Sequence, residues 1–197
     1  MSGRIGRIRV RIKGLSPLLM NRPSPETFAA EADVMKGKRA SFDPEKEAKA
    51  RVYMDVIDGK EQLYIPHSWL YQCMLNAAKV YFAKVGSRRV SLAKYLAGAI
   101  MVEPEKIGLG KSEYDIDIRT VRIKATGGRV LRARPRVWPW EAEFFIVYDK
   151  QMLKPEMLDT LKEVLADAGR RIGIGDYRPA RGGPFGRFEV VSFEVEE

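Results

Sequence analysis

The chain reads as an α+β fold in which an antiparallel sheet is backed by two helices, and three observations predict it. A period-2 stretch opens the chain: Ile8, Val10 and Ile12 alternate with Arg7, Arg9, Arg11 and Lys13, as in a strand with one face in a core and the other in solvent. Two apolar stripes at helical spacing follow, far apart. One runs through Leu70, Cys73, Met74, Ala77 and Tyr81, the other through Leu158, Leu161, Val164, Leu165 and Ala168. Strand-like segments at 100–102, 114–126, 129–137, 142–148 and 188–195 lie between and after them. With insertions set aside, the order is β, α, β, β, α, β, which closes into one antiparallel sheet carrying both helices.

Taken in order, each element has a local cause. Ser24 is placed to cap a short helix, with Pro25 at its first position and Gly37 at its end, and Asp43-Pro44 starts another that runs to about Arg51. Residues 52–57 and 62–65 flank Asp58-Gly59 and read as a hairpin. Residues 21–64 therefore form an insertion ahead of the first core helix, which starts behind Pro66-His67-Ser68. A second helical piece is expected over 91–96. Gly127-Gly128 joins two strands as a tight basic hairpin, about 119–137. Lys154-Pro155 opens the last helix, with Gly169 as its C-cap. No internal repeat or interdomain linker is visible, so residues 1–197 are expected to form a single domain.

Composition bounds the function. The 197 residues are 45% hydrophobic, enough for one solid core or two small ones. No apolar run approaches the ~20 residues of a membrane span. The opening Met-Ser-Gly-Arg-Ile-Gly-Arg lacks the apolar stretch of a secretory signal. Cys73 is alone, which excludes disulfides and cysteine zinc sites and makes a reducing cytoplasm the expectation. The net charge is +9. Twelve cations fall in two acid-free tracts, one over 1–13 and one over 118–140 (Arg119, Arg122, Lys124, Arg129, Arg132, Arg134, Arg136), so the remainder is mildly acidic. Basicity gathered in this way points to a nucleic-acid footprint, with an acidic protein as the rival partner. A row of like cations on one strand face invites an anion, or else an acidic cross-strand neighbour.

Residues 169–187 link the last helix to the last strand and interleave Gly173, Gly175, Gly182, Gly183 and Gly186 with Arg170, Arg171, Arg178, Arg181 and Arg187. Glycine accepts positive φ and lets a ligand reach the main chain, so such a loop can lay N–H groups against phosphates. An elaborate turn is the plainer reading of the glycines alone; the arginines favour a polyanion. Tyr177 and Phe185 in this loop, and Trp138 and Trp140 beside the basic hairpin, can stack bases, although the tryptophans also suit burial. Gly173-Ile174-Gly175 follows a helix and precedes a strand, the reverse of a dinucleotide fingerprint. No Walker A sequence, His pair, Cys pair or serine elbow is present, and no metal or other cofactor is expected.

Three stretches resemble the RAMP superfamily of CRISPR-associated RNA-binding proteins. Gly14-Leu15-Ser16-Pro17-Leu18-Leu19 resembles the turn after the family's first strand. Tyr64-Ile65-Pro66-His67-Ser68-Trp69-Leu70 resembles its entry to the first helix, with His67 and Trp69 in place of small residues. Residues 173–188 lie where the family has its glycine-rich loop, here lengthened by 176–181. The resemblance implies a ferredoxin-like, RRM-like fold. It also implies non-catalytic binding of single-stranded RNA by the sheet face, the loop and an arched hairpin, within a CRISPR-type ribonucleoprotein, as a homo-oligomer or beside other subunits, or in a stand-alone or virus-encoded homologue. Single-stranded DNA is the next ligand, since no residue visibly reads a 2′-hydroxyl. Two rivals stay open. In one, His67 serves as general acid or base of a metal-independent endoribonuclease, as in processing members of the superfamily. In the other, the chain is a scaffold or inhibitor that docks an acidic protein. A metal-dependent cut would need a loop carboxylate; Asp33 and Asp43 lie in the insertion and nothing singles either out.

Overall fold

The computed structural model describes residues 3–196 except 26, 28–31, 33–41, 86 and 123–126, together with all described side chains but those of residues 84 and 85. Asp33, Gly37 and Lys124 lie outside the described residues. The alternating first segment is strand β1, Ile5–Gly14, with every second residue buried. It is central in a four-stranded antiparallel sheet ordered β12-β1-β11-β7, where β7 is Ile100–Glu103, β11 is Glu141–Asp149 and β12 is Phe188–Glu196. Counted along the chain these strands lie in the order 4-1-3-2, the ferredoxin-like arrangement.

Two helices cover one face. Helix α2, His67–Ala77, buries Leu70, Cys73, Met74 and Ala77, and α4, Leu158–Asp167, buries Leu161, Val164 and Leu165. These side chains join Ile8, Val10 and Ile12 of β1 and Phe144 and Ile146 of β11 in one core cluster. Burying each of the Leu, Ile, Val, Met and Phe side chains among them stabilises by roughly 1.5–3 kcal/mol relative to exposure. The helical stripe expected to reach Tyr81 stops earlier, in a short 3-10 turn at Ala78–Val80.

The insertions build smaller sheets instead of widening the main one. Strand β2, Leu18–Leu19, pairs with β10, Arg129–Val137, which pairs in turn with β9, Asp115–Arg122. Strands β3, Met54–Ile57, and β4, Lys60–Pro66, flank the expected Asp58-Gly59 turn, and β4 also pairs with β8, Lys106–Gly108. Strands β5, Phe82–Val85, and β6, Arg88–Ser91, form a hairpin that hydrophobic periodicity did not predict, ahead of α3, Leu92–Ala99. Helix α1 spans Pro44–Arg51, with the Asp43 carboxylate accepting from the Lys46 N–H at 3.1 Å. Around Ser24 the expected cap is present: its Oγ accepts from the Thr27 N–H at 3.2 Å, and Thr27 Oγ1 accepts from the Ser24 N–H at 2.9 Å.

Gly169 is not the cap of α4. The helix continues through a wide turn, Ala168–Ile172, and Gly173 at φ 69° ends it, donating its N–H to the Ala168 carbonyl at 2.9 Å. Gly169 serves a close approach instead, because a Cβ there would lie 2.2 Å from the Phe188 carbonyl oxygen. The β9–β10 pairing starts at Arg122 opposite Arg129, and the expected Gly127-Gly128 turn adjoins residues 123–126, which lie outside the described residues.

Candidate nucleic-acid interface

The glycine loop is stitched to the turn after β1. Ile174 donates its N–H to the Gly186 carbonyl, Gly186 to Pro17, Asp176 to Leu19 and Leu15 to Arg187, all at 2.8–2.9 Å. The N–H groups of Gly182 and Gly183 go to Pro179 and Arg178. Gly183 lies so close to the Tyr177 carbonyl that a Cβ would sit 1.8 Å from its oxygen. Of the glycine N–H groups in this loop, that of Gly175 alone has no partner among the described residues. The expected cradle of main-chain amides is therefore corrected: internal hydrogen bonds occupy most of them, and the loop offers side chains outward.

The basic ribbon β9–β10 packs against this loop. The Arg119 guanidinium, which donates two hydrogen bonds to the Asp117 carboxylate, lies 4.4 Å from the Phe185 ring centroid and 5.8 Å from that of Tyr177. The two rings are 6.2 Å apart; Phe185 is 6% exposed and Tyr177 43%. Tyr177 also holds φ 45°, outside the usual range for a side-chain-bearing residue. Arg134 Nε donates to Asp176 at 3.0 Å. A sequence reading placed hairpin and loop in the same site, and these contacts bring them together.

The acid-free tracts do not stay unmatched in space. Glu47 of α1 faces Arg51, Arg134 and Arg132 at 3.2, 3.2 and 3.8 Å, and accepts the Ala133 N–H at 3.2 Å. Arg136 pairs with Asp115 at 3.0 Å, and Arg171 with Asp167 at 2.7 Å. The cation row of β1 also meets acids from both neighbouring strands. Arg7 and Arg9 face Glu196 at 3.7 and 3.5 Å, Arg11 faces Glu141 and Glu143 at 3.8 and 3.9 Å, and Lys13 sits opposite Glu141 and Glu189 in register. Arg7 further covers the Phe145 ring at 3.5 Å. The expectation of a sheet face carrying unopposed cations is thus corrected; it is a lattice of alternating signs, whose exposed pairs are each worth about 0–1 kcal/mol.

Six guanidiniums from the expected set have no carboxylate partner among the described residues: Arg122 and Arg129 at the ribbon end, and Arg170, Arg178, Arg181 and Arg187 in or beside the loop. Arg187 donates to the Arg170 carbonyl at 2.5 Å and Arg178 to the Gly175 carbonyl at 2.9 Å. Between α2 and the start of the loop lies a cleft of about 220 Å³, lined by Ser68, Trp69, Gln72, Asn76, Gly175 and Arg178. Its floor is fastened by Cys73, whose Sγ–H is shared between the Ala168 and Gly173 carbonyls at 3.3 Å. Burial pushes that thiol up to about 12.

His67 starts α2, as expected, with Nδ1 2.9 Å from the Val102 carbonyl and its main-chain N–H on the Glu105 carbonyl. It ties the helix to β7, and it is not among the residues lining the cleft. Trp140 is 2% exposed and donates its indole N–H to the Ser16 carbonyl at 2.9 Å, whereas Trp138 is 44% exposed. No group of three or more His, Cys, Asp and Glu side chains suited to a metal occurs among the described residues, and no described helix is long and apolar enough to cross a membrane. Sequence reasoning missed Glu47, Gln72 and Asn76. The Glu47/Arg51 spacing of four on one helix was the available signal for the first; the amides left none.

No family model matches the chain, and no curated protein matches it. Among solved structures, a chain in the cryo-EM structure of the Type III-B Cmr-beta bound to cognate target RNA is similar to it at 16% identity and a TM-score of 0.55. That likeness covers 100% of this chain, which spans 62% of the other's length. Cmr6 from Pyrococcus furiosus is 13% identical over 98% of this chain and 100% of its own, with a TM-score of 0.48. A chain of a CRISPR RNA-guided surveillance complex is 12% identical over 83% of this chain and 58% of its own, with a TM-score of 0.39. With its 4-1-3-2 sheet, its two backing helices and its whole-length likeness to the Cmr-beta chain, the protein has a ferredoxin-like α+β fold.

Proposed function

We propose that the chain is a single RAMP-like domain that binds single-stranded RNA without cleaving it, as a subunit of a CRISPR-type ribonucleoprotein. The strand runs along the glycine loop and the β9–β10 ribbon, not across the sheet face. One observation carries this reading: of the cations expected at the site, the guanidiniums left without a carboxylate among the described residues lie on or beside these two adjoining elements, while the arginines of β1 are already opposed. Arg122, Arg129, Arg170, Arg178, Arg181 and Arg187 contact phosphates, and the exposed Tyr177 ring, backed by Arg119, stacks a base. Such stacking is worth about 1–3 kcal/mol. The fold shared with a chain of an RNA-bound Cmr complex supports an RNA ligand and neighbouring subunits.

Fluorescence anisotropy with labelled 20-mers of RNA and of DNA tests the proposal, with gels of the same mixtures. We expect saturable binding, tighter for RNA, and intact RNA after incubation with wild type and His67→Ala alike. No binding to either polymer, or cleavage that His67→Ala abolishes, overturns it.

A further inference from the structure

A third acid-free stretch lies outside both the loop and the ribbon. Residues 62–102 hold no Asp or Glu and five cations, Lys79, Lys84, Arg88, Arg89 and Lys94. The β5–β6 hairpin falls within it. Arg88, Arg89 and Lys94 are exposed, and none of them has a carboxylate partner among the described residues. Lys84 and Arg89 hold facing positions in the register, and like charges at facing positions destabilise a hairpin left to itself. Two acids come near the root, since Asp167 and Glu163 both act on Tyr81, but Asp167 is already bound by Arg171. Phe82 is 51% exposed and has the Arg89 guanidinium over its ring at 4.2 Å. A stacked guanidinium keeps its in-plane N–H groups for a phosphate, and the ring keeps its other face for a base. Tyr177 and Arg119 pair an exposed ring with an arginine in the same way.

The hairpin also adjoins the glycine loop. Asn76, near the end of α2, lines the cleft together with Gly175 and Arg178, and its side-chain oxygen accepts from Lys79 Nζ at 2.8 Å. Lys79 lies in the turn Ala78–Val80 that leads into β5. We infer that the β5–β6 hairpin is a second RNA contact, which takes the strand onward from the glycine loop past the end of α2. Phe82 stacks a base there, and Arg88 and Arg89 hold phosphates. The inference rests on the RNA-binding reading above. An acidic protein segment would satisfy the cations and leave the exposed ring unused, whereas a single strand engages both.

The test uses the full chain and two labelled RNAs, an 8-mer long enough for the loop and ribbon and a 20-mer that also reaches the hairpin. By anisotropy, Phe82→Ala should weaken the 20-mer about tenfold. Arg88→Gln with Arg89→Gln should reduce the 20-mer's slope of log K against log salt by about 1.4, at roughly 0.7 per contact. Both variants should bind the 8-mer within twofold of wild type. The three side chains are exposed, so their replacement leaves folding intact, and thermal melting verifies this. A 20-mer bound equally by wild type and both variants overturns the inference and leaves RNA binding standing. Equal loss for both lengths also overturns it, since the hairpin then contributes nothing beyond the short site. A labelled 20-mer of glutamate that wild type binds and the variants lose, with RNA affinity unchanged, overturns it in favour of an acidic protein. No binding of either RNA by wild type overturns the RNA-binding reading itself.

Discussion

Replacing Glu47 with glutamine should destabilise the protein far more than a surface substitution. Glu47 has a side chain 15% exposed and faces Arg51, Arg132 and Arg134, whose side chains are 4%, 16% and 12% exposed. Removing one partner of a buried ion pair leaves uncompensated charge and costs about 3–5 kcal/mol. Asp176 continues to neutralise Arg134, and the glutamine carbonyl can still accept the Ala133 N–H. Those two compensations place the loss at the low end, about 3 kcal/mol. For a chain of this length about 2–4 °C in Tm corresponds to each kcal/mol, so the melt should fall by about 6–12 °C. Calorimetry or circular dichroism reads this, with Glu45→Gln on the same helix, exposed to solvent, as a control expected within about 0.5 kcal/mol of wild type. If Glu47→Gln melts within ~2 °C of that control, the carboxylate does not hold α1 to the ribbon and the reasoning fails.

Two further outcomes follow from individual side chains. Cys73 is held protonated well above the 9.0 of an ordinary thiol, so the unfolded chain ionises first as pH rises. Stability from this group is fully present below pH 9 and declines between pH 9 and about 12, by up to about 1.4 kcal/mol per pH unit. Cys73→Ser, which keeps a donor but does not titrate in this range, should show a shallower fall in Tm between pH 9 and 11; a parallel fall in both proteins refutes the assignment. Tyr177→Ala should weaken RNA binding about tenfold, within the range for a stacked base, and leave the melting temperature within a few degrees. Unchanged affinity removes Tyr177 from the interface.

What was legible in the sequence was what local chemistry decides. The alternation in β1, the apolar stripes of α2 and α4, the Asp43 cap and the Asp58-Gly59 turn depend on neighbours a few residues away, and each occurs where expected. The errors concern partners distant in sequence. Glu196 approaches Arg7 and Arg9 only because β12 lies beside β1, and Asp176 reaches Arg134 only because the ribbon folds onto the loop. An acid-free tract therefore says little about local charge once tertiary contacts form. Gly169 was misread as a cap for the same reason: what forces a glycine there is the Phe188 carbonyl, from the strand that follows the loop. Likewise, nothing in Trp138-Pro139-Trp140 distinguishes the buried indole from the exposed one; the Ser16 carbonyl makes the difference. Strand β2 is two residues long, too short for any period to register.

The salt dependence of RNA affinity, compared among three proteins, tests the placement of the interface most directly. The six guanidiniums of the loop and ribbon that have no carboxylate partner among the described residues, on six phosphates of a single strand, give a slope of log K against log salt of about −4, at roughly 0.7 per contact. Arg170→Gln, Arg181→Gln and Arg187→Gln combined should shrink that slope by about 2, and Arg7→Gln, Arg9→Gln and Arg11→Gln combined should leave it unchanged. A slope that shrinks with the β1 substitutions and persists through those in the loop would contradict the account.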